Sequence, residues 1–108
     1  MMKIPFDTIE ETAIPSFKGG QKQYNVKMFF DGKARIMKGR LVPGASIGTH
    51  THEGNCEVIF ITSGTGKAIF DGQEIALSAG DVHYCREGHT HCLINDSDED
   101  LTFSAVVA

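Results

Sequence analysis

The sequence lacks any apolar run of the roughly 20 residues that a membrane-spanning helix needs. Its N-terminal part carries Asp7, Glu10 and Glu11 and contains no apolar stretch of the kind that an export signal requires. From these two absences we expect a soluble, cytoplasmic protein that has no membrane partner.

Positive charge is scarce as well. Ten lysine and arginine residues stand against fourteen aspartate and glutamate residues, and the formal net charge is -4. A nucleic-acid surface needs a basic patch for the phosphates. The one basic run, formed by Lys33, Arg35, Lys38 and Arg40, is typical of a solvated strand face. We therefore expect no nucleic-acid partner.

Cysteine is limited to Cys56, Cys85 and Cys92, and no pair of them has Cys-x-x-Cys spacing. An odd number of cysteines without that spacing indicates a reducing compartment rather than a disulfide framework. A zinc site in which Cys56 or Cys85 joins histidines is an alternative, although structural zinc sites usually have paired, regularly spaced ligands. The sequence assigns no role to the three thiols.

Helical periodicity is missing too, apart from one candidate turn at residues 8–12. Turn-forming pairs, among them Asp31-Gly32 and Asp71-Gly72, separate short segments rich in apolar and β-branched residues. Both of these pairs suit two-residue hairpin turns. Strands are predicted at residues 24–30, 34–42, 46–50, 57–63, 67–70, 73–77, 82–85, 91–95 and 101–107. This spacing predicts an all-β sandwich or barrel in one domain.

What the sequence does contain is a pair of histidines, His50 and His52, separated by one residue. In an extended strand their side chains project to the same face. Glu57 follows a polar, glycine-bearing segment that can reverse the chain and bring a carboxylate beside the imidazoles. Two neutral nitrogens and one anionic oxygen on a common face suit a divalent transition metal. For the histidine pair alone, a partly solvated turn is the alternative.

The spacing around this pair resembles the first motif of the cupin superfamily: Gly44, five residues, His50, one residue, His52, four residues, Glu57, six residues, Gly64. A second segment resembles the family's second motif: Gly80, five residues, Arg86, one residue, Gly88, two residues, His91, three residues, Asn95. The second motif departs from the family's pattern at Arg86, where the family usually has proline, and arginine does not fix φ as proline does.

The resemblance implies a double-stranded β-helix, or jelly-roll barrel, over residues 1–108, with an N-terminal arm at 1–25 and a two-motif metal-binding core at 44–95. It implies that His91 is the third imidazole, and that one divalent ion of iron, manganese, nickel, cobalt, copper or zinc is held by His50, His52, Glu57 and His91. Cupins of this size are commonly dimers. We therefore expect a homodimer, in which the N-terminal segment could cross to the partner and cover a sheet edge.

Strand alternation predicts which side chains line the barrel. If the two histidines point inward, Ser46 and Gly48 share their face, and Ile47, Thr49 and Thr51 face the other way. Ile59, Ile61 and Ser63 would follow Glu57 inward, and Leu93 and Asn95 would follow His91. The result is an apolar cavity with one ionic end, in which the predicted substrate contacts are Ile59, Ile61, Leu93 and Phe103. Ordinary barrel filling by these four side chains is the alternative.

Two further histidines, His83 and His89, lie in or near the second motif. His89 lies in the predicted turn of the second motif, and we expect it to be exposed. His83 shares a strand face with Cys85, but the sequence does not say which face of that strand is internal. No role is assigned to His83.

Three imidazoles and a carboxylate suit transition metals and disfavour magnesium and calcium, which prefer oxygen donors. An octahedral ion held by four protein ligands keeps two positions for water, dioxygen or a chelating substrate. Metal binding should weaken as the pH falls through the histidine range, because the ligands must be deprotonated.

One hypothesis for the function is a metal-dependent enzyme acting on a small organic molecule by oxygenase-type or isomerase-type chemistry. The other is a non-enzymatic module that binds or senses a small ligand or a metal.

Overall fold

Strands joined by short connections make up most of the chain in the computed structural model, which describes residues 2–108. The ten strands are β1 (Thr12–Pro15), β2 (Gln23–Phe30), β3 (Arg35–Leu41), β4 (Ser46–Thr51), β5 (Glu57–Ser63), β6 (Thr65–Phe70), β7 (Gln73–Ser78), β8 (Val82–Cys85), β9 (Thr90–Ile94) and β10 (Leu101–Val107). Two short 3₁₀ helices, Phe6–Thr8 and Phe17–Gly19, flank β1. None of the helices in this part of the chain has the length and apolar character needed to cross a membrane.

The strands form two antiparallel sheets. The six-stranded sheet has the order β1-β2-β3-β10-β5-β8, and the four-stranded sheet has the order β4-β9-β6-β7. Buried side chains from both sheets form one hydrophobic core, to which Val26 and Ile59 contribute from the larger sheet and Ala68 and Leu93 from the smaller one. The all-β jelly roll expected from the sequence is confirmed.

Each of the nine predicted strands is present, and its ends lie within two residues of the predicted ones. β1 was not predicted. It is a short edge strand that pairs with β2, Thr12 opposite Val26 and Pro15 opposite Gln23. The helical turn predicted at residues 8–12 is wrong, because the 3₁₀ helix ends at Thr8. The predicted domain, residues 1–108 with an arm at 1–25, includes Met1, which lies outside the described residues.

The two Asp-Gly pairs behave differently. Asp71 and Gly72 connect β6 to β7 as a two-residue turn, with φ of 48° and 82°, as a turn of this kind requires. The two-residue turn expected at Asp31-Gly32 is wrong. Four residues connect β2 to β3 there, because the Asp31 carboxylate accepts hydrogen bonds from the backbone N–H groups of Lys33 and Ala34, at 3.0 and 2.9 Å.

A bulge in β4 changes which of its residues face the core. Ile47 lies opposite Leu93 and His50 lies opposite His91, so three steps along β4 match two steps along β9. Directly opposed residues of an antiparallel pair share a face. Ile47 and His50 therefore both face inward, and Ile47 is buried. The expectation that Ile47 faces away from the histidines is wrong, because the extra residue interrupts the alternation.

A second irregularity affects Ser63 at the end of β5. Phe103 of β10 lies opposite Ile61, but the preceding residue, Thr102, lies opposite Ser63. Ser63 is exposed, and its hydroxyl contacts that of Thr102. The expectation that Ser63 faces inward is therefore wrong, whereas Ile59 and Ile61 are buried as predicted.

Candidate metal centre

Side chains from both sheets meet at one end of the core. His50 lies on β4, His52 directly after it, Glu57 at the start of β5 and His91 on β9. One candidate ligand atom from each of the four residues lies within 4.8 Å of all the others. His52, Glu57 and His91 are buried, and His50 is partly buried. The structure thus brings together all four side chains that the sequence singled out.

The separations between these atoms test whether they fit an ion. Nε2 of His91 lies 3.0 Å from Nε2 of His52 and 3.2 Å from Nε2 of His50. Oε1 of Glu57 lies 3.0 Å from Nε2 of His91, 3.2 Å from Nε2 of His52 and 4.0 Å from Nε2 of His50. With bonds of about 2.1 Å, adjacent donors in an octahedron lie about 3.0 Å apart and opposite donors about 4.2 Å apart. The group therefore fits a divalent transition metal.

The other nitrogen of each imidazole has its own partner. Nδ1 of His50 lies 2.7 Å from the Gly48 carbonyl, and Nδ1 of His52 lies 2.8 Å from the side-chain oxygen of Asn55. Nδ1 of His91 lies 3.0 Å from Nε2 of His83. A proton donated from Nδ1 leaves the lone pair of Nε2 free for an ion. The contact between Asn55 and His52 was not predicted, because the sequence around Asn55 indicates only a turn.

The charges of the metal-free group follow from its contacts. Burial raises the pKa of Glu57, but hydrogen bonds from His52 and His91 outweigh it and bring the pKa to about 2. Burial lowers the pKa of His50, and a hydrogen bond to Glu57 raises the pKa of His52. At neutral pH the group thus contains an ionised carboxylate beside a neutral His50.

A cavity of about 190 Å³ opens onto this group. His50, His52 and Glu57 form part of its wall. The rest of the wall combines apolar, polar and charged side chains, namely Phe17, Lys18, Tyr24, Arg35, Met37, Ile47, Thr51, Glu53, Asn55 and Val107. The cavity thus combines candidate metal ligands with a partly apolar wall, as small-molecule sites usually do.

The predicted substrate contacts occupy a different place. Ile59, Ile61, Leu93 and Phe103 are each at most 3% exposed and belong to the hydrophobic core. None of them lines the cavity. They fill the space between the sheets, and the Phe103 ring stacks on Tyr24 with 5.8 Å between ring centroids. The apolar part of the wall comes instead from residues such as Tyr24, Met37 and Val107.

Two basic side chains, Lys18 and Arg35, also line the cavity. The guanidinium carbon of Arg35 lies 4.5 Å from the centroid of the Phe30 ring. Its Nε atom is buried and has no hydrogen-bond partner within residues 2–108. The guanidinium always carries its charge, so Arg35 adds a positive charge to the wall of the cavity.

The remaining histidine and the thiols lie outside the four-residue group. His89, which was expected to be exposed, is partly exposed; its ring stacks on Phe70, and its Nδ1 contacts the Asp71 carboxylate. The three cysteines are free. Since the group found within residues 2–108 contains no cysteine, the geometry gives no support to a zinc site that includes Cys56 or Cys85.

Comparisons with known proteins agree with this geometry. A family model described as "Cupin domain" matches residues 37–107. An oxalate-binding protein of Thermotoga maritima is 31% identical over 112 residues, which cover 98% of this chain and 93% of that protein. The crystal structure of a predicted oxalate decarboxylase from Thermotoga maritima matches with a TM-score of 0.91 at 30% identity, over 98% of this chain and 97% of that one.

A more distant match concerns the fold alone. The crystal structure of a sugar phosphate isomerase of the cupin superfamily, from Silicibacter pomeroyi, has a TM-score of 0.79 at 22% identity and covers 99% of this chain and 75% of that one. The same jelly roll therefore occurs in proteins whose names refer to different small molecules.

Proposed function

The chain belongs to the cupin family, and from this premise we propose that it binds a divalent transition metal and a small carboxylate anion side by side. The metal ligands are His50, His52, Glu57 and His91. The anion occupies the adjoining cavity. The observation that carries the proposal is a single cavity that is lined both by members of the four-residue group and by two basic side chains, Lys18 and Arg35.

The charge of the cavity favours an anion. Lys18 and Arg35 line it together with two carboxylates, Glu53 and Glu57. A bound divalent ion would offset the charge of Glu57 and leave the cavity with a net positive charge. Arginine and lysine form their strongest hydrogen bonds with anionic oxygens. Arg35 and Lys18 are therefore the residues that would pair with a carboxylate.

The ligand class follows from this charge and from the relatives. One relative is named an oxalate-binding protein, and the other a predicted oxalate decarboxylase. Oxalate is a small dianion whose two carboxylates can occupy adjacent positions on one ion. We propose oxalate or a similarly small dicarboxylate as the ligand.

The protein's own residues hold the anion in place. Tyr24, Met37 and Ile47 form an apolar wall that excludes water from one side of the cavity and thereby strengthens its electrostatic interactions. The Tyr24 hydroxyl lies 3.6 Å from the sulfur of Met37. Burial raises the pKa of Tyr24 far above its usual range, so this phenol stays protonated. A bound metal would supply Lewis-acid polarisation of a coordinated oxygen.

A metal-dependent reaction of the bound molecule, of the oxygenase or isomerase type, is the second candidate. Glu53 favours it, because its carboxylate lines the cavity and could accept a proton from a ligand there. Binding without turnover needs only the metal ligands, Lys18 and Arg35, and it is therefore the preferred candidate function.

The test compares two arginines of β3. Isothermal titration of oxalate into the manganese- or cobalt-loaded protein should show binding, and Arg35→Met should weaken it about 10-fold or more, since a hydrogen bond to a charged group contributes about 1.5–3 kcal/mol. Arg40→Met is the matched control, because Arg40 pairs with Glu11 at 2.7 Å outside the cavity. Equal oxalate affinity in wild type and Arg35→Met would contradict the anion site. Steady consumption of oxalate by the metal-loaded protein would favour the enzyme hypothesis over binding without turnover.

We also propose that two copies of the chain associate through the outer face of the six-stranded sheet. Five apolar side chains lie directly opposite one another across five strands of this sheet: Phe29, Ile36, Val106, Val58 and Tyr84. Phe60 and Val82 extend this outer apolar face in the next row and are 45% and 54% exposed. Exposed apolar patches of this kind mark interaction sites. Because β1 pairs with β2 of its own chain, this dimer needs no exchange of the N-terminal segment.

A further inference from the structure

His83 connects the two sheets behind the candidate metal centre. It lies on β8 of the six-stranded sheet, and its Nε2 is 3.0 Å from Nδ1 of His91 on β9 of the four-stranded sheet. His83 is 5% exposed and His91 is 1% exposed. The rings of Phe70 and His83 pack edge to face, with 5.7 Å between their centroids. This contact is thus a buried, cross-sheet hydrogen bond between two imidazoles.

A neutral imidazole carries one proton, so the two rings of such a pair must have matched tautomers. The Nε2 atom of His91 faces Glu57 and the other two histidines. To bind an ion there, His91 must carry its proton on Nδ1 and donate it to Nε2 of His83. His83 must then carry its own proton on Nδ1. If His83 instead donated from Nε2, Nδ1 of His91 would accept, and the His91 proton would occupy the nitrogen that faces the ion.

The other two imidazoles have oxygen atoms as partners. Nδ1 of His50 faces the Gly48 backbone carbonyl, and Nδ1 of His52 faces the oxygen of Asn55. The Gly48 carbonyl only accepts, so it holds His50 in the Nδ1–H form, and the Asn55 oxygen does the same for His52 in this orientation of the amide. His91 alone of the three faces another imidazole, whose Nε2 donates in one tautomer and accepts in the other.

We infer that His83 is a positioning residue that selects the tautomer and orientation in which His91 can bind a metal. The inference rests on the proposed metal site, and it adds a residue that touches neither the ion nor the cavity. Polar groups behind metal ligands commonly change metal affinity 10- to 100-fold when they are replaced. His83 should have an effect of this size on the four-residue group.

Two substitutions separate the hydrogen bond from the packing. His83→Phe keeps a ring beside Phe70 but removes the acceptor, and it should weaken the binding of cobalt or zinc about 10- to 100-fold in a competition titration with a chelator. His83→Gln keeps an acceptor oxygen and should recover most of the affinity. His89→Gln is the control, because His89 lies outside the four-residue group and pairs with Asp71. A general loss of packing would not produce the difference between Phe and Gln at one position.

A second measurement addresses the proton directly in the wild-type protein. In the zinc-loaded, ¹⁵N-labelled protein, long-range proton–nitrogen spectra should show His91 protonated on Nδ1 and His83 protonated on Nδ1 only. A nitrogen–nitrogen coupling should connect His91 Nδ1 to His83 Nε2 through the hydrogen bond. A proton on Nε2 of His83 in this sample would overturn the inference, even if neither variant folds.

The outcomes separate this inference from the proposed function. Wild-type protein that binds no transition metal would overturn both. Tight wild-type binding with equal affinity in His83→Phe and His83→Gln would overturn the role of His83 and leave the metal site standing. Weak binding by the Phe variant together with recovery by the Gln variant would support both.

Discussion

At the scale of single residues, His50 and His91 differ in what surrounds them. His91 is 1% exposed and lies at 3.0–3.2 Å from the ligand atoms of the other three residues. His50 is partly buried and lines the cavity. His91 is therefore the central member of the group, whereas His50 is one of the members that line the cavity. Both are needed if the four side chains share one ion.

We expect His91→Ala and His50→Ala each to lower the metal content of the purified protein severely. Each substitution removes one nitrogen donor, and the alanine leaves a gap without a polar group. Elemental analysis should show about one ion per chain in the wild type and about one tenth of that or less in the variants. Far-UV circular dichroism should still report an all-β protein. Full metal stoichiometry in both variants would contradict the four-ligand site, and His89→Ala serves as the control.

The four-residue group could be predicted from the sequence. His50 and His52 are linked by the period of a strand, the turn-forming segment after them brings Glu57 back, and the resemblance to the second motif added His91. The cavity wall could not be predicted in the same way. Arg35 comes from a strand outside both motifs, and its place beside the histidines depends on how the sheets pack.

At the scale of elements, the close approach of the second 3₁₀ helix to β4 shapes the cavity. A Cβ atom on Gly48 would lie 2.0 Å from the carbonyl oxygen of Lys18, so the helix backbone rests directly on the strand. The backbone N–H of Ser46 donates to the carbonyl of Gln21 at 3.0 Å just beyond it. The helix brings Phe17 and Lys18 to the cavity wall. The glycine on β4 thus helps to place a side chain that we propose to bind the anion.

Gly48→Ala should therefore destabilise the fold and weaken the binding of oxalate. The added methyl group forces the 3₁₀ helix away from β4, and overpacking of this kind typically costs about 1–3 kcal/mol. Urea denaturation checks the free energy of unfolding, and titration checks the oxalate affinity. Thr49→Ala, at the exposed neighbouring position, is the control and should change both little. Unchanged stability in Gly48→Ala would show that the helix does not rest on the strand.

Strands bounded by turn-forming residues were predicted from the sequence, whereas features that depend on pairing with another strand were not. Turn-forming pairs separate β6 from β7 and mark the ends of most other strands, so nine strands could be predicted. β1 has only four residues and ends in Pro15; pairing with β2 makes it a strand. The bulge between Ile47 and His50 was missed for the same reason, since it exists only in the register of β4 against β9.

At the scale of the whole molecule, the two faces of the six-stranded sheet have different roles. On β5, Glu57, Ile59 and Ile61 are buried on the inner face, while Phe60 between them is 45% exposed. The inner face contributes to the candidate metal centre and the core. The outer apolar face lies on the opposite side of the same strands, so association of two copies there would leave the cavity untouched.

We expect the protein to be a dimer in solution and Phe60→Lys to make it monomeric. Pairing the outer apolar face with that of a second copy about a two-fold axis would remove Phe60, Val82 and Tyr84 from water, and a lysine in place of Phe60 would bury a charge within the contact. Sedimentation equilibrium should give about twice the 11.8 kDa chain mass for the wild type. The same experiment should give the single-chain mass for Phe60→Lys.

Thr49→Lys is the matched control for this change, because it adds the same charge at an exposed position on the four-stranded sheet. It should leave the dimer intact. The metal content of Phe60→Lys should equal that of the wild type, because the side chain of residue 60 points away from Glu57. A wild-type protein with the mass of one chain at micromolar concentration would rule out this dimer. A dimer that persists in Phe60→Lys would place the interface on another surface.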